Sequence, residues 1–421
     1  MGKQVKYVSL GLFVVFLWLL SAPVHAMEVG LGGDDPVRVN LYGYFATRYE
    51  KVWDEPALKD GITVKEDSPG EWDNPYVNLM GQSQIYNKYR VYFNLSAESA
   101  GNVEVKNIWG EYSHSEAFNV RIGKMYRRFG LYNEILDAVP TYIGIEPPEL
   151  FDCDHLILSR TTTVMVWGKR SLGDGILNYS LSTDNGEGGK NDDTFPLQLD
   201  LHYKTGNDKY TIGTSSYHSL GDTGSDVDVG DGSPESGVLP WMEEDTFWVA
   251  GAYFEANWGD WLFQAAYWHA DHDATRDPDS VVTVINNADP GLHQNQLNRF
   301  LIVPTGGVTA DNVDTNGDYE VNTWYLRAGR SLDTSYGEIM PYLQWDWYEN
   351  EETIADKDHG GDNEAGASDD GEFYKGTIGV VYRPMPKLAI KLDASGHFYE
   401  FNGKNEWYPE IRLDISWIFG I

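Results

Sequence analysis

The C-terminal segment of the chain alternates between apolar and polar residues. Arg412, Asp414 and Ser416 fill most of the gaps in a row of apolar positions, which are Ile411, Leu413, Ile415, Trp417, Phe419 and Ile421. Because successive side chains of a β-strand point to opposite faces, this strand has one apolar face and one charged face. Such a strand, with aromatic residues toward one end of its apolar face, is typical of a transmembrane β-barrel, with lipid outside and water inside.

The N-terminal segment predicts export. Two lysines precede an apolar run at residues 8–20, and small or compact residues follow up to Ala26. The run is shorter than the ~20 residues that a membrane-spanning helix needs, which favours a cleavable signal peptide over an anchor. We therefore expect a signal peptide at 1–26, cleaved after Ala26, and a single outer-membrane β-barrel domain at 27–421.

The composition of the remaining chain agrees with a barrel. The mean hydropathy is −0.44, and no segment after the signal peptide is apolar enough for a membrane helix. Only a closed barrel satisfies its backbone hydrogen bonds in lipid while half of each strand faces water. The single cysteine, Cys153, excludes an internal disulfide, so closure of the sheet must supply the stability.

Period-two alternation between turn signals predicts sixteen antiparallel strands, with fourteen or eighteen as alternatives. The strands are expected at 37–50, 76–86, 88–98, 103–113, 117–127, 160–171, 175–183, 196–205, 208–218, 244–257, 260–272, 320–332, 337–349, 371–383, 387–400 and 406–421. The second is short and poorly patterned, but an even count requires it. Tight turns alternate with long polar loops, which in outer-membrane barrels face the periplasm and the outside respectively.

The net charge of −34 excludes nucleic acid as a partner. The acidic residues concentrate in the long loops, where they either remain solvated or attract cations near the barrel mouth. Residues 314–318 begin like a calcium loop, but Tyr319 and Tyr325 replace the glycine and the closing glutamate of such a site. We therefore predict neither a metal site nor a cofactor, and calcium binding by the acidic loops stays open.

The loop at 128–159 is too apolar to lie in open water. Ile143 and Ile145 are among the residues that need burial, together with Ile135, Leu136, Val139, Leu150 and Phe151. In a barrel the available place is against the inner wall, so we expect an inward-folded constriction loop. The alternatives are a lid over the mouth and a contact with a neighbouring protomer.

The passage from Val120 through Lys124 to Leu131 resembles the strand that enters the constriction loop in phosphate-selective porins O/P and related sixteen-stranded outer-membrane porins. The resemblance covers about residues 84–170. It implies passive diffusion of small hydrophilic solutes or ions, usually through homotrimers, with basic residues at the narrowest point. The chain departs from that family in its acidic loops and in ending with Ile421 instead of an aromatic residue.

The expected constriction combines a basic wall with acidic residues of the loop, which together would screen solutes by charge and size. Its predicted residues are Arg90, Arg121, Lys124, Arg127, Arg128, Glu134, Asp137, Glu146, Arg160 and Arg383. Strict alternation sends Lys124 into lipid, unless a bulge forms near Gly123 or the side chain snorkels to the interface. We expect weak anion preference, carried chiefly by Arg121 and Arg127.

No sequence motif indicates catalysis. His269 and His272 lie with two aspartates in a short cluster, but no closing partner follows, and no serine, cysteine or haem motif is present. We therefore expect a porin rather than an enzyme, with outer-membrane lipid and small solutes as its partners. Two alternatives stay open: a barrel that sheathes a partner protein such as a redox carrier, and an enzyme with its site at the rim.

Overall fold

Sixteen long antiparallel strands form a closed barrel in the part of the chain that the structure describes. The structure is a computed structural model. It describes residues 27–29, 37–59, 62–98, 101, 103–135, 138–148, 161–185, 195–221, 238–287, 294–354 and 364–420. The predicted signal peptide lies outside these residues, as do Asp137 and Arg160.

Each strand pairs with its neighbours in sequence, and the first strand pairs with both the second and the last, which closes the sheet. The strands are β1 (Val37–Val52), β2 (Tyr76–Ile85), β3 (Tyr89–Glu98), β4 (Val103–Ser115), β5 (Phe118–Met125), β6 (Thr161–Leu172), β7 (Gly175–Asp184), β8 (Leu197–Lys204), β9 (Tyr210–His218), β10 (Met242–Trp258), β11 (Trp261–Arg276), β12 (Tyr319–Arg330), β13 (Gly337–Asn350), β14 (Glu372–Met385), β15 (Leu388–Phe401) and β16 (Lys404–Gly420). Short strands at Met27–Val29, Glu71–Trp72 and Leu332–Thr334 extend the sheet locally.

The predicted strand count of sixteen is confirmed, including the weakly patterned β2. This strand pairs with β1 from Tyr76 opposite Ala46 to Gln84 opposite Arg38, and then with β3. The side-chain pattern indicated this strand only weakly, but its pairing with β1 on one side and β3 on the other satisfies its backbone hydrogen bonds. The largest difference from prediction is at β11, which continues four residues beyond 272 to Arg276.

The two faces of the sheet differ as the alternation predicts. On β8, the outward Leu197 and Leu199 are exposed, whereas the inward Gln198 and Asp200 are buried. An outward aromatic row crosses six neighbouring strands in register: Tyr267, Trp324, Trp347, Tyr374, Phe398 and Trp407. Aromatic rows of this kind lie at the membrane interfaces of transmembrane barrels. No helix among the described residues is long and apolar enough to cross a membrane.

The long loops lie at one end of the barrel and the tight turns at the other. The loops carry a hairpin at Glu55–Lys59 and Ile62–Glu66, together with the helices α1 (Pro278–Asn287), α2 (Gln294–Phe300) and α3 (Glu364–Ala367). Three loops pack together through buried apolar residues, which include Val238, Trp241, Val281, Phe300 and Ile354.

A buried ion pair joins the same three loops. Arg276, at the end of β11, donates to both carboxylate oxygens of Glu352 at 2.6 Å. The indole of Trp241 donates to the same carboxylate at 3.1 Å. Burial raises the pKa of Glu352, and these donors oppose the rise. The long-loop end is therefore held by a specific polar contact within an apolar cluster.

Gly123 on β5 permits a close approach between two inner-wall strands. Its φ is +141°, and an added Cβ would lie 2.2 Å from the carbonyl oxygen of Ile108 and 2.6 Å from the Cα of Trp109. A side chain at this position would force β4 and β5 apart. Glycine is therefore required at position 123 because β4 and β5 lie close together there, and not because the chain turns.

We expect Gly123→Ala to destabilise the barrel by about 1–3 kcal/mol, because the substitution adds backbone strain and an overlap with β4. The measurement is the urea midpoint of protein folded into lipid vesicles. Gly110→Ala on β4 is the matched control, since an added Cβ there meets nothing within 4 Å. Equal midpoints for the two variants would contradict the close approach.

Candidate functional site

The segment from Phe129 to Glu146 follows β5 and contacts inward-facing residues of several strands. Near its beginning, the backbone amide of Gly130 donates to the hydroxyl of Ser215 on β9 at 3.0 Å. The hydroxyl of Tyr132 donates to Gln264 on β11 at 2.5 Å and accepts from Arg327 on β12. This first half of the segment therefore lies against the inner face of the barrel.

The second half of the segment is bound to β15. Lys391 is fully buried, and its ammonium donates to the carbonyl oxygens of Val139 at 2.5 Å and Gly144 at 2.6 Å. Asp393, two residues along the same face, accepts from the backbone amide of Ile145 at 2.9 Å. Hydrogen bonds that involve a charged group are worth about 1.5–3 kcal/mol, so these contacts hold the segment firmly.

Glu146 fixes the end of the segment between three cationic side chains. Arg48 on β1 donates to its carboxylate at 2.9 Å, and Lys375 on β14 lies 3.3 Å away. Arg412 on β16 makes the third ion pair. Together with Lys391, this group forms what we call the latch, defined as Arg48, Glu146, Lys375, Lys391 and Arg412. Its four cations outnumber the single carboxylate of Glu146, and Glu50 and Glu410, which pair with Arg412 at 2.8 and 2.5 Å, supply further negative charge. Such dense pairing around a side chain that is 17% exposed suits a structural role.

The apolar residues of the segment are only partly buried. Ile143 and Ile145 are buried, as expected, together with the aromatic residues Phe129, Tyr132 and Tyr142. Ile135, the last residue of a short 3₁₀ turn, is instead 39% exposed. Leu136, Leu150 and Phe151 lie outside the described residues.

A second group of charges lies on β3, β4 and β5, a few strands away from the latch around the barrel. Three arginines alternate with two carboxylates in one chain of contacts, which we call the ladder: Arg90, Glu111, Arg121, Glu134 and Arg128. The successive nitrogen–oxygen distances are 2.5, 2.9, 3.5 and 3.2 Å. Since three cations share two anions, the ladder carries one net positive charge. It joins the wall strands β3, β4 and β5 to the inward segment.

Two tryptophans support the ladder. The guanidinium of Arg121 lies 4.1 Å from the ring centre of Trp109, and that of Arg128 lies 4.3 Å from the ring centre of Trp167. The indole of Trp167 also donates to Glu111 at 3.0 Å. Cation–π contacts orient a guanidinium without neutralising it, so the ladder keeps its excess positive charge.

The structure places several predicted constriction residues away from the open lumen. Arg127 is fully buried and paired with Asp184 at 2.5 Å, so its charge is neutralised inside the wall. Lys124 lies on the outward face: strand pairing continues through Gly123 without a register shift, and alternation from the outward Ile122 carries Lys124 to the same side. The bulge needed to turn Lys124 inward is therefore not formed.

Other predicted residues occupy different parts of the interior. Arg383 lies near the tight-turn end and pairs with Glu338 at 3.1 Å. Arg90, Arg121, Arg128 and Glu134 belong to the ladder, and Glu146 belongs to the latch. Asp137 and Arg160 are outside the described part of the chain.

Sequence reasoning did not single out Glu111, which bridges two ladder arginines. The sequence could have indicated Glu111, because it lies on the face of its strand opposite Ile108 and Gly110, and that other face is apolar. An acidic residue at such a position must face the lumen or a partner. Alternation along their strands turns Lys375, Lys391 and Arg412 inward, but their contacts with the segment depend on the closed barrel.

Two carboxylates of the calcium-like loop at 314–318 already accept hydrogen bonds from backbone amides. The Asp314 carboxylate accepts from the amide of Asn316 at 3.1 Å, and the Asp318 carboxylate accepts from the amide of Ala274 at 3.1 Å. Within the described ranges, no group of three histidine, cysteine, aspartate or glutamate residues could hold a metal ion.

The fold is similar to that of solved bacterial outer-membrane porins. An anion-selective porin from Comamonas acidovorans aligns with a TM-score of 0.55 and 12% identity, over 91% of this chain and 100% of that one. The outer membrane channel DcaP of Acinetobacter baumannii gives 0.55 and 11%, over 94% and 100%. Salmonella typhi OmpF, in complex with daunomycin, gives 0.52 and 11%, over 93% and 100%. No protein-family model and no curated protein sequence matches the chain.

These likenesses establish a porin-type sixteen-strand barrel. With its apolar outer face and its outward aromatic row, the barrel belongs in the outer membrane. The identities of 11–12% carry no information about the solute.

We expect Lys391→Met to loosen the inward segment, because two backbone carbonyls lose their charged donor. Amide hydrogen exchange in residues 139–146 should become about tenfold faster or more, as a loss of about 1.4 kcal/mol implies. Lys387→Met, at an exposed turn beside the same strand, is the matched control. Unchanged exchange in the Lys391 variant would contradict the latch.

Proposed function

We propose that the protein is an outer-membrane porin that allows passive diffusion of small hydrophilic solutes or ions. One observation carries the proposal: a segment bound to the inner wall crosses a lumen lined by polar and charged side chains. Barrels of about sixteen strands leave an aqueous channel, so a segment held inside one narrows that channel. Residues 129–146 therefore form the constriction in this proposal.

The ladder sets a weak preference for anions. The Debye length at physiological salt is about 8 Å, so the acidic external loops are screened at the constriction and the nearest charges dominate. The ladder supplies one excess positive charge there, and the partly exposed side chains of Arg90 and Glu134 are its contacts with the open lumen. Arg121 contributes through the ladder, whereas the neutralised Arg127 is not part of this proposal.

The finer proposals rest on the resemblance to phosphate-selective porins O/P. The passage that resembles their constriction strand carries four basic residues, Arg121, Lys124, Arg127 and Arg128. Of these, Arg121 and Arg128 lie in the ladder. A ladder that is largely compensated favours a general anion preference over a specific phosphate site. The same resemblance supports a homotrimer, while the apolar run at 8–20 and the small residues up to Ala26 support an export signal at 1–26. The structural neighbour from Comamonas acidovorans is named an anion-selective porin, which agrees with the direction proposed from the ladder.

If the barrel instead sheathed a partner protein such as a redox carrier, its lumen would contain no inward segment. The contacts of Tyr132 with β11 and β12, and of Glu146 with β1, β14 and β16, fill the space that a partner protein would occupy. The porin proposal accounts for these contacts directly.

We expect the purified protein to form a water-filled pore of modest conductance in planar bilayers, because the segment leaves only part of the lumen open. Deleting residues 135–150 should raise the single-channel conductance. The folded state of the deletion variant is checked by its β-sheet circular dichroism. An unchanged conductance in a folded deletion variant would remove the constriction role.

We expect Arg90→Gln to abolish most of the anion preference, since it reduces the ladder from one net positive charge to zero. Glu134→Gln should increase the preference. One charge about 8 Å from a permeating ion contributes about 0.5 kcal/mol in water, so the permeability ratio should change about twofold. Reversal potentials across a KCl gradient measure it. Arg330→Gln, on the outward face, is the control; an equal effect there would rule out the ladder.

A further inference from the structure

The open part of the lumen beside the ladder contains a cavity of about 250 Å³. Its wall side is formed by the aromatic rings of Tyr42, Tyr92 and Trp109, with two methionines between them. Glu134 of the inward segment closes the opposite side. The cavity thus lies at the proposed constriction, beside the ladder.

The aromatic residues of this cavity face inward, where most neighbouring positions are polar. Tyr92 and Trp109 are cross-strand partners, and their rings stack with centres 5.1 Å apart. Tyr42 is 36% exposed, although it lies on the inner face of β1. Met80 and Met125 are buried by packing, whereas Tyr42 is hydrogen-bonded through its side chain to Tyr92 and still leaves part of its surface exposed to the cavity.

The positive end of the ladder adjoins the same rings. The guanidinium of Arg90 lies 5.2 Å from the ring centre of Trp109 and makes its ion pair with Glu111. Glu111 is shared with Arg121, so it does not fully neutralise either arginine. The cavity therefore combines apolar ring faces with a guanidinium that carries residual positive charge.

We propose that this cavity is a transient binding site for small aromatic monocarboxylates that pass through the pore, with benzoate as the simplest example. The solute ring lies against Tyr42 and Tyr92, and its carboxylate meets the Arg90 guanidinium. The inference rests on the proposed porin function. An organic cation gains little from Glu134, because Arg121 and Arg128 already pair with that carboxylate. A strongly hydrated dianion loses more solvation free energy at the apolar rings than one residual charge returns.

The test compares benzoate with cyclohexanecarboxylate, which has the same charge and a similar size but no aromatic ring. Single-channel currents are recorded in KCl while either anion is added. We expect benzoate to interrupt the current at a concentration roughly threefold to tenfold lower, as an added aromatic contact implies. Equal effects of the two anions in a channel that conducts KCl would overturn the aromatic site and leave the porin function intact.

Variants separate the ring contact from the charge contact. Tyr92→Leu should remove the preference for benzoate over cyclohexanecarboxylate while KCl conductance persists. Tyr89→Leu, three residues away on the outward face of the same strand, should leave the preference unchanged. Arg90→Gln should weaken block by both anions equally. A benzoate preference that survives Tyr92→Leu would overturn the site, and a wild-type protein without any conductance would overturn the porin function itself.

Discussion

The need to satisfy every backbone hydrogen bond in lipid determines the rest of this structure. A sheet can meet that need only by closing, which here brings β1 against β16. Sixteen strands enclose more space than their own inward side chains fill. The segment from Phe129 to Glu146 occupies part of that space, and its polar backbone needs partners there, which the inner wall supplies.

The same chemistry of paired charges serves two purposes in two parts of the lumen wall. In the latch, three cations pair with Glu146, whose side chain is 17% exposed, and Lys391 binds backbone carbonyls, so the charges hold the segment in place. In the ladder, the side chains of Arg90 and Glu134 are 31% and 41% exposed, and three arginines share two carboxylates. Burial distinguishes the two groups: the more buried latch fixes structure, while the more exposed ends of the ladder act on passing ions.

Much of the fold was predictable because a strand with lipid on one face and water on the other must alternate. This rule located fifteen strands and the inward direction of Arg90 and Arg121, and the need for an even strand count added the weakly patterned second strand. It also gave the outward direction of Lys124, which the family resemblance had assigned to the constriction. The rule could not distinguish Arg127 from Arg121, since both were expected near the lumen. Only the position of Asp184, on a strand 57 residues away, neutralises Arg127.

The sequence alone determined the membrane environment of each strand, because the polarity of alternate residues is a local property. Tertiary structure decided which inward charges meet. Ile145 and its partner Asp393 are separated by 248 residues, and Tyr132 and Arg327 by 195. Such pairs become neighbours only when the barrel closes and the segment lies across it. The latch is therefore a product of closure, which no local pattern encodes, whereas the ladder and the aromatic cavity need only the pairing of β1–β5 and the inward fold of the segment.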